Sequence, residues 1–385
     1  MSYFWKRWWL VIACLTCCIT VWACRPNPDP EIVIGVIVPL TGDVSLTSGR
    51  PTLEGIELAV QMINEEGGFE IKEQRYPVEL IVADDQDDPS LAAAAAHQLI
   101  NQDKVVALVG MPLSRNAIPV AQVAEAAGIP MISSKSTNPQ TTAGKEYVFR
   151  VTFTDAFQAE VIATLVRDKL QVQRAAVLYD VASDYNKYLA ESFQTAFENR
   201  GGDVVAFETY VTDNPQFEQS LEAIKLAQPE VLFLPNYPAE VLNQAQMARD
   251  LGLDIPLIGA DSWTGFGDFS DPALEGALYT ADWSDDIDTP QTTAFLAAYR
   301  QQYNHVPTSA AALGYDAIQL LFTAIQTQDS FEPQMIQTGL TQIRDYPGVT
   351  GSISYGQGGD PSKDAAILQV QKGKSVFFES VRPKE

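Results

Sequence analysis

Past residue 24 the chain has no cysteine: Cys14, Cys17, Cys18 and Cys24 all fall at the start of its 385 residues. Thiol nucleophiles, disulfide scaffolds and cysteine-rich zinc sites are thereby excluded from the body. Histidine is nearly as scarce, with His97 and His305 alone, and neither sits in a recognisable catalytic motif. Basic residues are few as well. The 25 Lys plus Arg face 49 Asp plus Glu, and the net charge of −24 repels nucleic-acid phosphates and anionic membrane surfaces. Gly373-Lys374-Ser375 ends like a phosphate-binding loop, but the position that needs an earlier glycine holds Leu368. No G-x-G-x-x-G follows the first strand, and no G-x-S-x-G elbow occurs. The acid run Asp84-Asp85-Gln86-Asp87-Asp88 lacks the glycine and terminal glutamate of a calcium loop. It reads instead as a solvent-facing cap for a helix beginning at Pro89. These absences predict a protein without catalysis, cofactor, metal or nucleic-acid partner.

What is present fits a globular chain, with 46% hydrophobic and 19% charged residues. At roughly 150 residues per domain, the length suggests two or three domains. Lys6 and Arg7 precede an acid-free apolar run over residues 8–23, the pattern of an export signal. The run, about 16 residues, is short of the ~20 that a spanning helix needs. It ends in Val21-Trp22-Ala23-Cys24, which resembles a bacterial lipobox. Residues 1–23 are therefore expected to be a lipoprotein signal peptide, and Cys24 the lipidated first residue of a chain on the outer face of the cytoplasmic membrane. Loss of Lys6 and Arg7 takes the net charge from −24 to −26. Residues 24–31, with prolines at 26, 28 and 30, predict an extended tether.

The body alternates strand and helix. Apolar runs at 32–38, 78–83, 105–109, 175–179, 231–234 and 256–259 read as strands buried on both faces. Between them, Leu53, Ile56, Val60 and Ile63 follow helical spacing. Asp88-Pro89 and Asn214-Pro215 each offer an N-cap followed by proline at the first helical position. Such strand–helix units predict parallel sheets with right-handed crossovers. The strands form two series, about 32–150 and 174–283, each sufficient for one doubly wound lobe. Two helical segments (291–303 and 309–326) and short strands near 352–355, 365–370 and 376–379 make up the tail.

In open α/β sheets ligands bind beyond the C-terminal ends of the strands. Those ends carry polar residues here. The first strand runs into Pro39-Leu-Thr-Gly-Asp43 and Ser48-Gly49, the third into Gly110-Met-Pro-Leu-Ser114, and the fourth into Ser133-Ser-Lys-Ser-Thr-Asn138. The helix starting near Ser114 offers free N–H groups and a favourable dipole to a carboxylate. In the second series Asp184-Tyr185, Asn236-Tyr237 and Asp261-Ser262-Trp263 hold the equivalent places. Hydroxyls on one side and aromatics with a carboxylate on the other suit a zwitterion.

At these residues the chain resembles the type I periplasmic substrate-binding proteins of ABC transporters, in the branched-chain amino-acid (Leu/Ile/Val) group. The resemblance is carried by Ile34-Gly-Val-Ile-Val-Pro-Leu-Thr-Gly42, Gly55-Ile-Glu-Leu-Ala59, Val82-Ala-Asp-Asp85, Gly128-Ile-Pro-Met-Ile-Ser133, Thr137-Asn138-Pro139, Tyr147-Val-Phe-Arg150 and Gly314-Tyr315-Asp316-Ala317. It implies an α/β fold of two doubly wound parallel-sheet lobes joined by three crossover segments, with the ligand cleft between them. The lobes would be residues 32–153 plus 284–362 and 154–283 plus 363–385. It also implies ligand contacts from Ser48, Ser114, Lys135, Thr137, Tyr185, Tyr237 and Asp261. Ser114 and Thr137 would take a carboxylate, Asp261 an ammonium, and the two tyrosines would close over the ligand. Lys135 falls where the family uses a backbone carbonyl.

The implied function is capture of an amino acid by lobe closure and its delivery, by a monomer, to ABC permease subunits. The alternatives are a sensor of the same fold with a separate signalling partner, a ligand such as an amide, urea or aromatic acid, or an extracellular hydrolase using Asp and Glu, whose spacing is spatial and leaves no sequence motif. Arg50, Arg115 and Lys135 depart from the family pattern; such cations are expected to point to solvent or pair with the many acids, the alternative being an acidic or larger polar ligand.

Overall fold

The computed structural model describes residues 31–211 and 216–383. The expected signal peptide, Cys24 and nearly all of the tether lie outside the described residues, as does the Asn214-Pro215 cap.

The two strand series form two sheets. The first contains β1 (Ile32–Val38), β2 (Val78–Asp84), β3 (Ala107–Gly110), β4 (Met131–Ser133) and β5 (Val148–Arg150), all parallel, in the spatial order β2-β1-β3-β4-β5. The second contains β6 (Arg174–Asp180), β7 (Asp203–Tyr210), β8 (Val231–Leu234), β9 (Leu257–Gly259) and β10 (Leu278–Ala281), in the order β7-β6-β8-β9-β10. To this β11 (Ala365–Gln371) and β12 (Lys374–Val381) add antiparallel strands beyond β10. The two orders are the same winding, so each sheet reverses direction once, between β1 and β3 and between β6 and β8. That reversal opens a crevice at the C-terminal ends of the paired strands.

Burial on both faces explains the near-continuous apolar strands. In β1, Ile34, Val36 and Val38 enter one core while Ile37 enters the other. Helices cover both faces: α1 (Arg50–Glu65), α2 (Pro89–Asn101) and α3 (Ser114–Ala127) at the first sheet. At the second lie α4 (Asp155–Thr164), α5 (Asp184–Asn199), α6 (Phe217–Ala227) and α7 (Pro238–Asp250). After β10 the chain returns: α8 (Pro290–Tyr303), α9 (Ser309–Gln328) and α10 (Pro333–Thr341) follow, and Leu313, Ala317 and Leu321 of α9 share the core of Ile34 and Val36. It then crosses back to supply β11 and β12. The chain thus passes between the sheets three times. Contact between α1 and α9 is backbone to backbone. A Cβ on Gly55 would lie 1.9 Å from the Ala311 carbonyl oxygen, and one on Gly314 would lie 2.4 Å from that of Thr52.

The acid run divides between two roles. Asp88 caps α2, its Oδ1 accepting from the N–H groups of Ser90 (2.7 Å) and Leu91 (2.9 Å). Asp85 does not face solvent as expected; it is fully buried beneath the loop. Burial pushes its carboxyl up to about 6, against the N–H that Asp87 donates to it. A folded pKa above the unfolded value near 3.9 means that the fold prefers the protonated form. This contribution to stability is full below about pH 4 and is lost as pH rises through 6. Asp85→Asn should therefore raise the melting temperature at pH 7 and flatten this part of the stability profile in melts between pH 4 and 7.5. A lower melting temperature at pH 7 would contradict it.

Candidate ligand-binding cleft

The loops at the two switch points meet around a single cleft. At the first sheet, β1 leads through Pro39-Leu40 into a tight turn over Ser45–Gly49 before α1. Ser45 Oγ donates to the Leu40 carbonyl (2.6 Å), and the Leu40 N–H donates to Asp84 Oδ1 (2.8 Å), which ties the ends of β1 and β2 together. Gly49 is demanded by packing, since a Cβ there would stand 1.7 Å from the Pro39 carbonyl oxygen. This turn sets Val44, Thr47 and Ser48 along one wall.

From β3 the chain passes Pro112 and Leu113 to Ser114, the first residue of α3. Ser114 Oγ accepts from Ser136 Oγ (2.9 Å) and from the Asn138 N–H (3.4 Å), which leaves its own hydrogen to donate. The loop after β4, residues 134–138, is held from behind by Arg150. That side chain is fully buried and donates to the carbonyls of Ser136 (2.6 Å) and Asn138 (2.9 Å), to Thr142 Oγ (2.7 Å) and to Asp360 (2.7 Å). Thr137 is thereby presented to the cleft, while its carbonyl accepts from the Asp155 N–H (2.8 Å).

At the second sheet one residue organises both loops. Asn236 donates to the Leu178 carbonyl (2.8 Å) and Gln244 Oε1 (2.9 Å), and accepts from Asn186 Nδ2 (2.9 Å). Tyr185, in the first turn of α5, and Tyr237, the N-cap of α7, stand with ring centroids 5.6 Å apart. Asp261 and Ser262 follow β9. Trp263, which the sequence leaves open between cleft wall and core packing, is fully buried packing whose indole N–H donates to the Leu234 carbonyl (3.1 Å).

The two sides touch. Asn138 Nδ2 donates to the Asp184 carbonyl (3.0 Å), and a Cβ on Gly265 would come within 3.4 Å of Thr47 Cβ. The principal bridge is Lys135. Its ammonium donates to Asp261 Oδ2 (2.9 Å) and the Asp261 carbonyl (3.3 Å), and pairs with Asp282. Asp261 Oδ1 accepts from the Tyr185 hydroxyl (2.7 Å) and Gln158 Nε2 (2.9 Å). Asp282 also accepts from the hydroxyls of Thr152 and Ser309. Burial alone would lower the lysine, but Asp261 and Asp282 beside it hold its charged form above the usual lysine range. Burial raises the Asp155 carboxyl well above the carboxylate range.

All seven residues expected at the site, Ser48, Ser114, Lys135, Thr137, Tyr185, Tyr237 and Asp261, line this one cleft, with about 470 Å³ of empty space that is partly continuous with solvent. Val44, Pro112, Leu113 and Pro238 add apolar surface. Of the three cations near the site, Arg115 and Lys135 pair with acids, as expected. Arg50 lies outside the lining and donates to Ser45 Oγ (3.2 Å) and the Leu40 carbonyl (3.3 Å). Arg115 forks onto both oxygens of Asp87. Lys135 is engaged as described, so none of these three cations is offered to a second acidic group on a ligand. Sequence reasoning missed Gln158, Thr152 and Asp282, whose bonds to Asp261, Asp282 and Lys135 respectively span more than a hundred positions along the chain. It quoted Arg150 only as part of a motif.

Two doubly wound lobes with a polar-ended, apolar-walled cleft at their paired switch points define a bilobed small-molecule binding protein. The sequence profile of the periplasmic binding protein family matches residues 31–375. The chain belongs to that family, as a type I member of the branched-chain amino-acid group. It is 29% identical over 357 residues to Leu/Ile/Val-binding protein homolog 3 of Brucella melitensis, covering 91% of this chain and 94% of that protein. Over 363 residues it is 30% identical to Leu/Ile/Val-binding protein BraC3 of Rhizobium johnstonii, covering 93% and 96%. Among solved structures, the branched-chain amino-acid substrate-binding protein LivJ of Streptococcus pneumoniae, in complex with isoleucine, superposes with a TM-score of 0.83 at 30% identity, covering 92% and 100%. A solute-binding protein of R. palustris in complex with benzoate, at 20% identity, shares the fold with a TM-score of 0.80, covering 92% and 97%.

Arg150 positions the Ser136–Asn138 segment without lining the cleft. Arg150→Met should cost about 3 kcal/mol of stability, since bonds from a buried charged donor contribute ~1.5–3 kcal/mol each and do not add. Urea denaturation measures this, and a loss below about 0.5 kcal/mol would sink the assignment.

Proposed function

We propose that this chain is the substrate-binding component of an ABC importer. It captures an amino acid, or the carboxylic acid corresponding to one, by lobe closure and delivers it to the permease without catalysis. The lobes are residues 32–153 plus 284–362 and 154–283 plus 363–385, hinged at the three crossovers. The observation that carries the reading is the division of the cleft. Ser114, at the start of α3, and Thr137 offer donors at one end, while Val44, Pro112, Tyr185, Tyr237 and Pro238 offer apolar surface for a branched or aromatic body. A carboxylate gains there from donors and helix dipole together. The isoleucine complex of the Streptococcus relative supports a branched-chain body. Ser48 completes the contacts, and Asp261 borders the cleft with Lys135 beside it.

The protein works as a monomer, outside the cytoplasmic membrane, held by a lipid on Cys24. Cys24→Ala should move it from the membrane fraction to the soluble one; retention at the membrane would remove the anchor from the account. The binding reading is tested by melting the purified protein with a panel of amino acids and carboxylic acids. A ligand at a hundred times its Kd should stabilise it by about 2.7 kcal/mol. Ser114→Ala should weaken binding roughly tenfold or more, through loss of one charge-assisted bond of ~1.5–3 kcal/mol. Unchanged affinity in this variant, or turnover of any bound ligand, would overturn the reading.

A further inference from the structure

The bonds around Asp261 bear on which ligands the cleft accepts. Lys135 has three N–H donors, and the three acceptors around it are Asp261 Oδ2 (2.9 Å), the Asp261 carbonyl (3.3 Å) and Asp282 Oδ2. A carboxylate and a carbonyl are the partners that the ammonium of an incoming ligand would seek at the same place. The other oxygen of Asp261 is taken by Tyr185 (2.7 Å) and Gln158 (2.9 Å). Gln158 is itself fixed, its Oε1 accepting from the Asp261 N–H (2.8 Å) and Thr280 Oγ (2.6 Å).

We propose that Lys135 supplies, from within the protein, the ammonium group that Asp261 would otherwise take from a ligand, so that the cleft selects carboxylic acids lacking an α-ammonium over the corresponding amino acids. This rests on the reading that the cleft holds a ligand carboxylate at Ser114 and Thr137. A ligand ammonium at Asp261 would have to stand beside a like charge in a poorly hydrated site, where the Lys135 side chain is 10% exposed. Asp282 offers no second vacancy. It is buried and already accepts from Lys135, Thr152 and Ser309. The one negative charge that Lys135 leaves unbalanced on the two aspartates is met by neutral donors: Tyr185, Gln158, Thr152 and Ser309.

Calorimetric titration of the full chain with matched pairs tests this: leucine against 4-methylpentanoate, valine against 3-methylbutanoate, and phenylalanine against 3-phenylpropanoate. At least one acid should bind ten times or more tighter than its amino-acid partner. If members of these pairs bind but no acid binds ten times tighter than its amino-acid partner, the inference is overturned and the carboxylate reading stays intact. If no member of any pair binds, both fall. Replacing both members of the buried pair, Lys135→Ala with Asp282→Asn, should shift the acid-to-amino-acid ratio at least tenfold toward the amino acid. An unchanged ratio in that folded variant removes Lys135 as the cause, and if the variant does not fold, the wild-type ratio alone decides.

Discussion

A single lysine ammonium between two buried aspartates joins the two halves of this protein at the place where a ligand would sit. Lys135 comes from the loop after β4 of the first sheet, and Asp261 and Asp282 from the ends of β9 and β10 of the second. Desolvating three charged groups is expensive, and mutual attraction offsets the cost only if the remaining donors and acceptors are satisfied. They are satisfied here by Tyr185, Gln158, Thr152 and Ser309. Gln158 lies on α4, at the start of the crossover between sheets, so the same network that fixes the cleft also fixes the connection about which the lobes would move.

The cleft follows from the winding of the two sheets. Each reverses its strand order once, and at each reversal two loops diverge above the sheet. The first sheet contributes short hydroxyl side chains and the start of α3, and the second contributes two tyrosines and Asp261. Apolar strands buried on both faces keep these loops at fixed positions, and polar organisers, Asn236 on one side and Arg150 on the other, hold them without occupying the cavity. The cleft-lining groups thus sit on rigid supports.

Much of this was legible in the sequence, because burial leaves a local mark. Unbroken apolar runs announced the strands; β1 and β8 have the expected bounds, while β3 starts two residues late because the Val105 N–H closes the end of α2 on Leu99. Asp88-Pro89 announced a helix start for similar reasons. The seven cleft residues were legible through strand-end position and family resemblance. What was not legible is pairing at long range. Nothing near Lys135 indicates that two aspartates 126 and 147 positions away will take its charge, and nothing near Asp85 indicates that one acid of a run of four turns inward. A charge read alone looks like a ligand contact; whether it is free for one is decided by the fold.

The most direct test is the structure of the protein bound to the tightest acid of a ligand panel. The account predicts the ligand carboxylate within hydrogen-bonding distance of Ser114 Oγ and Thr137, its apolar body against Tyr185 and Tyr237, and Lys135 still between Asp261 and Asp282. A carboxylate paired with Lys135 and an Asp261 released from it, or a ligand bound outside the cleft, would contradict it.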